Sequence, residues 1–283
     1  RHFYTGLLVQ AKLTGWITVL NFIYLSAVVI ALVVGFSLGL EPRYVVVGSE
    51  LIGVSLLLCG LFSVKILQYR LPSKKEHEDV SYRQLTQFFL PVSTTGIMFA
   101  LSRPVLYAFV SRSENSILTI AALRVAFDFT MLFQQAANQF RHFFISFGAE
   151  DLEQKVHFMR AIAFGITAIM LLFVLTPLSG LVWWDLMSLP PELRSIASEV
   201  VLIMCLMPGV IVYRNYFHSM LMMRQKTYGM ALGSILRVLG IYFTALLIFK
   251  AGSLNHVSAT CILLFGFVIE AAIARKALHR ADG

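Results

Sequence analysis

Eight stretches of this chain each run for more than twenty residues with few charges, at about 14–37, 46–70, 85–111, 116–146, 155–182, 195–223, 227–249 and 256–278. Each is long enough to cross the ~30 Å hydrocarbon core of a bilayer as a helix. No water reaches the backbone there, so every N–H and C=O must be paired within the segment, which a lone strand cannot do. The pattern predicts an all-α integral membrane protein of about eight transmembrane helices. Composition agrees: 58% of the 283 residues are hydrophobic and only 13% are charged, about half the charge a soluble domain carries. Pro91, Pro104, Pro177 and Pro208 lie inside or near the ends of these runs. Each predicts a kink, with the freed carbonyl needing a partner from a neighbouring helix.

The chain also repeats itself weakly. Arg1 to Thr14 reads as an Arg, two aromatics, an apolar patch, a basic turn and a Thr before an apolar run, and Arg214 to Thr227 follows the same order. Both Thr residues sit where a helix N-cap is expected. In membrane chains such internal symmetry points to a transporter with its site between repeats. Matching the copies makes residues 1–70 the tail of a first six-helix lobe, namely the end of helix 4 and helices 5 and 6. Residues 71–84, a strongly polar stretch with Lys74, Lys75, Glu76, His77, Glu78 and Asp79, are the expected linker. Residues 85–283 form a complete second lobe. Twelve helices are then expected in all, with about four preceding this chain.

Lys and Arg fall unevenly about the spans. Fifteen collect on one side, among them Lys74, Lys75, Arg83, Arg160, Lys226, Arg275 and Arg280, against Arg43, Arg112, Arg194 and Lys250 on the other. The richer side is cytoplasmic by the positive-inside rule, which puts the linker and the C-terminus in the cytoplasm of a multi-pass plasma-membrane protein. The same rule accounts for the net charge of +8, so no nucleic-acid partner is implied. Trp183, Trp184 and Tyr44 fall at the expected outer boundary, where aromatic belts form.

Four arginines remain inside the spans: Arg103, Arg124, Arg214 and Arg237. Each costs at least ~2.5–3.5 kcal/mol in hydrocarbon, so each needs a partner or a wet cavity. The richest span, 116–146, carries Arg124, Asp128, Gln135, Gln139 and His142 at helical spacing, one polar stripe on an otherwise apolar helix. Arg103 with Tyr107, Arg214 with His218, and Ser234 with Arg237 and Thr244 form shorter stripes. Asp128 is the one acid placed mid-span; Glu50 and Glu199 lie near outer ends and Glu270 in the last span. Two readings stand. In one, a cationic cavity binds an anion through guanidinium groups suited to phosphate or carboxylate. In the other, Arg124 pairs in-helix with Asp128 and the remaining arginines bond carbonyls or snorkel. Asp128 serves either as a salt-bridge partner or as a site for a coupling H+ or Na+. No cofactor is implied, and no Gly-rich phosphate loop, nucleophile elbow or metal-ligand spacing is present, so an enzyme is not expected. Cys59, Cys205 and Cys261 read as packing residues.

Two segments carry a family resemblance. One is Arg214 to Arg237, with Arg-x-aromatic-aromatic, Arg-x-Lys-Thr and Ser-x-x-Arg. The other is Phe88-Phe-Leu-Pro91 followed by Leu101-Ser-Arg-Pro-Val-Leu-Tyr-Ala-Phe-Val-Ser-Arg112. The chain resembles the MATE-like superfamily, also called the multidrug/oligosaccharidyl-lipid/polysaccharide flippases, and within it the progressive ankylosis branch. The resemblance implies two six-helix lobes that rock about a central cavity. It also implies export of small anions such as pyrophosphate, nucleotide phosphates or citrate. Under it, Arg103, Tyr107, Arg124, Gln135, Gln139 and Arg237 are the expected substrate-binding residues. The expected partners are the bilayer and a small or lipid-linked anion, with the protein a monomer. A lipid-linked oligosaccharide flippase, a cation-coupled multidrug exporter and a non-transporting scaffold are the alternatives.

Overall fold

The computed structural model describes residues 2–11, 13–69, 81–148 and 150–282. Among them it contains helices and no strand: α1 (His2–Gln10), α2 (Thr14–Ser37), α3 (Pro42–Gln68), α4 (Tyr82–Val110), α5 (Ser116–Asn138), α6 (Phe140–Phe147), α7 (Leu152–Leu175), α8 (Leu178–Gly180) leading into a π-helical turn (Leu181–Leu186), α9 (Pro191–Met204), α10 (Met207–Met223), α11 (Tyr228–Lys250) and α12 (His256–Asp282). Most of the expected linker, 71–80, lies outside the described residues, as do Arg1 and Lys12. The chain divides into two compact units, Arg1–Glu78 and Asp79–Gly283.

In the first unit α2 and α3 pack along their length, with Leu20, Leu57, Leu61 and Val64 buried between them and Leu8 of α1 sealing one end. Close approach is possible because Gly53 faces Val28 and Tyr24 with no room for a Cβ. Small residues at such contacts are the usual way membrane helices gain packing energy. The Tyr24 hydroxyl donates to Glu50 Oε2 at 2.8 Å.

In the second unit α10 is the axle. Eleven of its residues are buried, including Arg214, Asn215, His218 and Ser219. It packs against α5, α6, α7 and α12, while α4 lies on α11 and α11 on α12. Helix α4 begins at Tyr82, ahead of the expected 85, because Ser81 and Gln84 form a capping box that satisfies two backbone donors. It continues through both Pro91 and Pro104. Pro91 has no N–H for the Gln87 carbonyl one turn earlier. The Thr227 hydroxyl supplies a donor instead, 3.4 Å from Gln87 O and 3.2 Å from Phe88 O. Thr227 does precede α11, but its side chain makes no cap there; it braces α4. Thr14 is likewise not a cap: α2 starts at that residue, and the N-cap is Leu13.

Two of the eight spans are broken. Pro208 in the first turn of α10 separates it from α9, and Thr167 Oγ1 donates 3.0 Å to the Cys205 carbonyl at the gap. The expected span 116–146 is interrupted at Gln139 without a proline. There Asn215 Nδ2 reaches across from α10 to the Ala137 carbonyl at 3.1 Å, so a side chain replaces a lost backbone donor. The span expected over 155–182 ends at Leu175, because Pro177 stops α7 and the chain turns through α8 and the π-helical turn. That turn carries Trp183 inward. Trp183 is 2% exposed, packs 4.9 Å from Phe129 and 5.5 Å from Phe173, and donates to Ser198 Oγ. It is a core residue rather than a boundary residue. Trp184 and Tyr44 stay exposed, each under an arginine, Arg194 at 3.7 Å and Arg43 at 5.0 Å.

Candidate functional site

Two groups of polar span residues stand out in the second unit, one exposed and one sealed. The exposed group lies on α4 and α5. Arg103 Nη1 donates to Asp128 Oδ1 at 2.9 Å, and Arg103 Nη2 to the Phe127 carbonyl at 3.3 Å. The partner of Asp128 is thus on the neighbouring helix. The in-helix pair with Arg124 does not form, and Arg124 has no ion-pair partner among the described residues. The Arg103 guanidinium also lies 5.3 Å from the Phe127 ring, on which Tyr107 stacks. The Asp128 side chain is 61% exposed. Such a pair contributes no more than ~1 kcal/mol to stability.

Arg124 and Gln135 are exposed on α5, and Gln139 is exposed at its C-terminal end. The stripe is not continuous, because the break at Gln139 sets His142 on α6, where it is half-buried. Beside Arg103 a small cavity of about 130 Å³ is lined by Phe99, Ser102, Gln134 and Phe267 among others. At ~30 Å³ per water, that is room for about four waters or one small ion. The Tyr107 hydroxyl is buried without a hydrogen-bond partner among the described residues.

The sealed group centres on Glu270 of α12, which is 1% exposed. Ser234 Oγ of α11 donates to Glu270 Oε1 at 2.5 Å. Arg237, also of α11, pairs with Oε2, and Arg214 Nη1 of α10 approaches the same oxygen at 3.4 Å. His218 Nε2 stands 3.7 Å from Oε1. Arg214 Nη2 reaches on to Asn215 Oδ1 at 3.1 Å and Asn138 Oδ1 at 3.4 Å. The ring of Phe267 lies under both arginines, 4.7 Å from Arg237 and 5.4 Å from Arg214. Gly266 makes this possible: a Cβ there would meet Ile241 Cγ1 at 2.6 Å and Arg237 Cγ at 3.1 Å.

Arg237 is therefore not the open, cavity-lining residue that the sequence suggests. It is 0% exposed and held by a carboxylate that sequence reasoning left unassigned in the last span. The signal was present, since Arg214 with His218 and Ser234 with Arg237 each form a one-turn polar stripe. Their common acid sits on a third helix, and no spacing rule links the three. Two positive charges share one carboxylate here. Several of their donors, Arg237 Nε and Nη2 and Arg214 Nε, are buried without a hydrogen-bond partner among the described residues, as are both His218 ring nitrogens. Among the described residues no three His, Cys, Asp or Glu side chains gather as a metal site.

Among the described residues eight helices are long and apolar enough to cross a membrane, which makes this an all-α, multi-pass integral membrane protein. No family model, curated protein or solved structure matches the chain.

Proposed function

We propose that the chain belongs to a secondary transporter or flippase that moves an anionic, phosphate- or carboxylate-bearing substrate across the membrane by alternating access. One observation carries this reading: the face of α4 and α5 that presents Arg103, Arg124, Gln135 and Gln139 outside the packed core. The exposed surface of the spans is otherwise rich in Leu, Ile, Val and Phe. An arginine on such a surface is tolerable only against water or protein, so this face is the wall of a polar passage.

The chemistry follows from the pair on that wall. Asp128 is solvent-open and holds Arg103 through one nitrogen. An arriving phosphate or carboxylate competes for the same guanidinium with the same geometry, and Arg124 adds an unpaired positive charge. Asp128 acts as a placeholder that yields Arg103 to the substrate and retakes it on release. The basic side of the spans faces the cytoplasm in this reading, and the substrate leaves from there. Arg237 has no contact role, because it is sealed.

The test is export of radiolabelled pyrophosphate or citrate by the full-length protein in proteoliposomes. Flux collapses in Arg103→Ala protein that still inserts, and falls in Arg124→Ala. Unchanged flux in Arg103→Ala overturns the assignment. A non-transporting scaffold is the second reading, favoured by the pairing of Arg103 with Asp128 and of Arg237 with Glu270. It expects no flux in the parent protein at all.

A further inference from the structure

A groove of about 660 Å³ runs between α10 and α12, inside the second unit and sharing no residue with the Arg103–Asp128 face. Its walls are apolar, with Gly209 and Val210 on one side and Val268 and Ala272 on the other. Its mouth is basic, formed by Arg275 and Lys276 in the closing turns of α12. A second groove of about 370 Å³, between α7 and α10, shares Gly209, Tyr213 and Arg275 with the first and adds Arg160. Neither groove is lined by a carboxylate. Arg160, Arg275 and Lys276 make no ion pair among the described residues.

Two apolar channels thus diverge from one cluster of unneutralised positive charge at the end of the bundle. We propose that this is a binding site for an anionic diacyl phospholipid of the surrounding bilayer. The phosphate sits at Arg160, Arg275 and Lys276, and one acyl chain lies in each groove, parting around Gly209 and Tyr213. Both volumes fall in the range of ligand-sized pockets. Basic pockets between membrane helices are the expected receptors for anionic head groups. A free phosphate would satisfy the arginines but leave both grooves empty; a zwitterionic lipid would fill the grooves but not the charge.

The position of Gly209 supplies the discriminating variant. A Cβ built there meets nothing within 4 Å, so Gly209→Leu extends into the grooves without disturbing the helix and gains helix propensity. The experiment is native mass spectrometry of the full-length protein, delipidated in detergent. It is titrated with phosphatidylglycerol, with phosphatidylcholine of the same chains, and with glycerol 3-phosphate. Phosphatidylglycerol binds tightest. Its affinity falls on the order of 30-fold in R275Q/K276Q, which removes two head-group charges. In Gly209→Leu, binding of both lipids falls. Equal retention of phosphatidylcholine and phosphatidylglycerol by the parent overturns the proposal, since the lipid is then an unselective annulus. Glycerol 3-phosphate binding as tightly as the lipid also overturns it, because the site is then one for free phosphate. Unchanged lipid affinity in Gly209→Leu, which tests the grooves without touching the charges, is a third refutation.

Discussion

Replacing Glu270 by Gln is the sharpest test of how the second unit holds together. The substitution keeps the volume and the hydrogen-bonding oxygen that Ser234 reaches, but removes the only carboxylate bonded to Arg214 and Arg237 among the described residues. Two guanidinium groups, 7% and 0% exposed as side chains, are then left without a counter-charge. Breaking a buried ion pair from one side costs about 3–5 kcal/mol. On the scale of domains of 150–250 residues, that lowers Tm by about 6–20 °C. The assay is thermal unfolding of the purified protein in detergent, followed by tryptophan fluorescence and by loss of the monodisperse peak. Asp128→Asn is the control. Its carboxylate is 61% exposed, so losing its pair with Arg103 costs at most ~1 kcal/mol. A Glu270→Gln protein that melts with the parent, or an Asp128→Asn protein that melts as low as Glu270→Gln, would refute the division into a sealed cluster and an open pair. Combining Glu270→Gln with Arg237→Gln removes one of the stranded charges and should recover part of the loss, a coupling of about 0.5–3 kcal/mol.

Thr227→Val removes the donor held against Gln87 and Phe88 and should cost about 0.5–1.5 kcal/mol. In a Pro91→Ala background Gln87 regains its own backbone partner, and the same substitution becomes close to neutral in the melting assay. Gly266→Val drives a side chain into Ile241 and Arg237 and should destabilise by about 1–3 kcal/mol, whereas Gly209→Ala, in open space, should melt no lower than the parent. Asn215→Ala strips the Ala137 carbonyl of its donor at the α5–α6 break, with an expected loss of about 1–3 kcal/mol, read as faster amide exchange around 137–141.

The eight spans are legible in the sequence because hydrophobicity sums over twenty residues and depends on no neighbour. The breaks at Pro177 and Pro208 are legible for a local reason, the missing N–H. The break at Gln139 is not: nothing in 116–146 ends a helix there, and the Asn215 amide that holds the freed carbonyl comes from 78 residues further on. Polar residues behave similarly. The stripes on four helices are readable from periodicity, but which stripe turns inward is set by what packs against it. Arg237 and Arg124 look alike as single arginines in apolar runs. One meets Glu270 where Gly266 lets two helices close, and the other meets no acid among the described residues. The pairing of Asp128 with Arg103 rather than Arg124 has the same origin: α4 lies beside α5, and the closer guanidinium is the one across the gap.

The burial of α10 has a consequence for the order of synthesis. Arg214, Asn215 and His218 belong to the most enclosed helix of the unit, yet Arg214 leaves the ribosome 56 residues ahead of Glu270. Arg237 follows, still 33 residues ahead of the same carboxylate. Until α12 is made, α10 and α11 carry these two guanidinium groups without the Glu270 carboxylate that pairs with them in the folded unit. A truncation before Glu270 therefore removes the carboxylate that Arg214 and Arg237 share, and the shortened chain keeps both guanidinium groups without it.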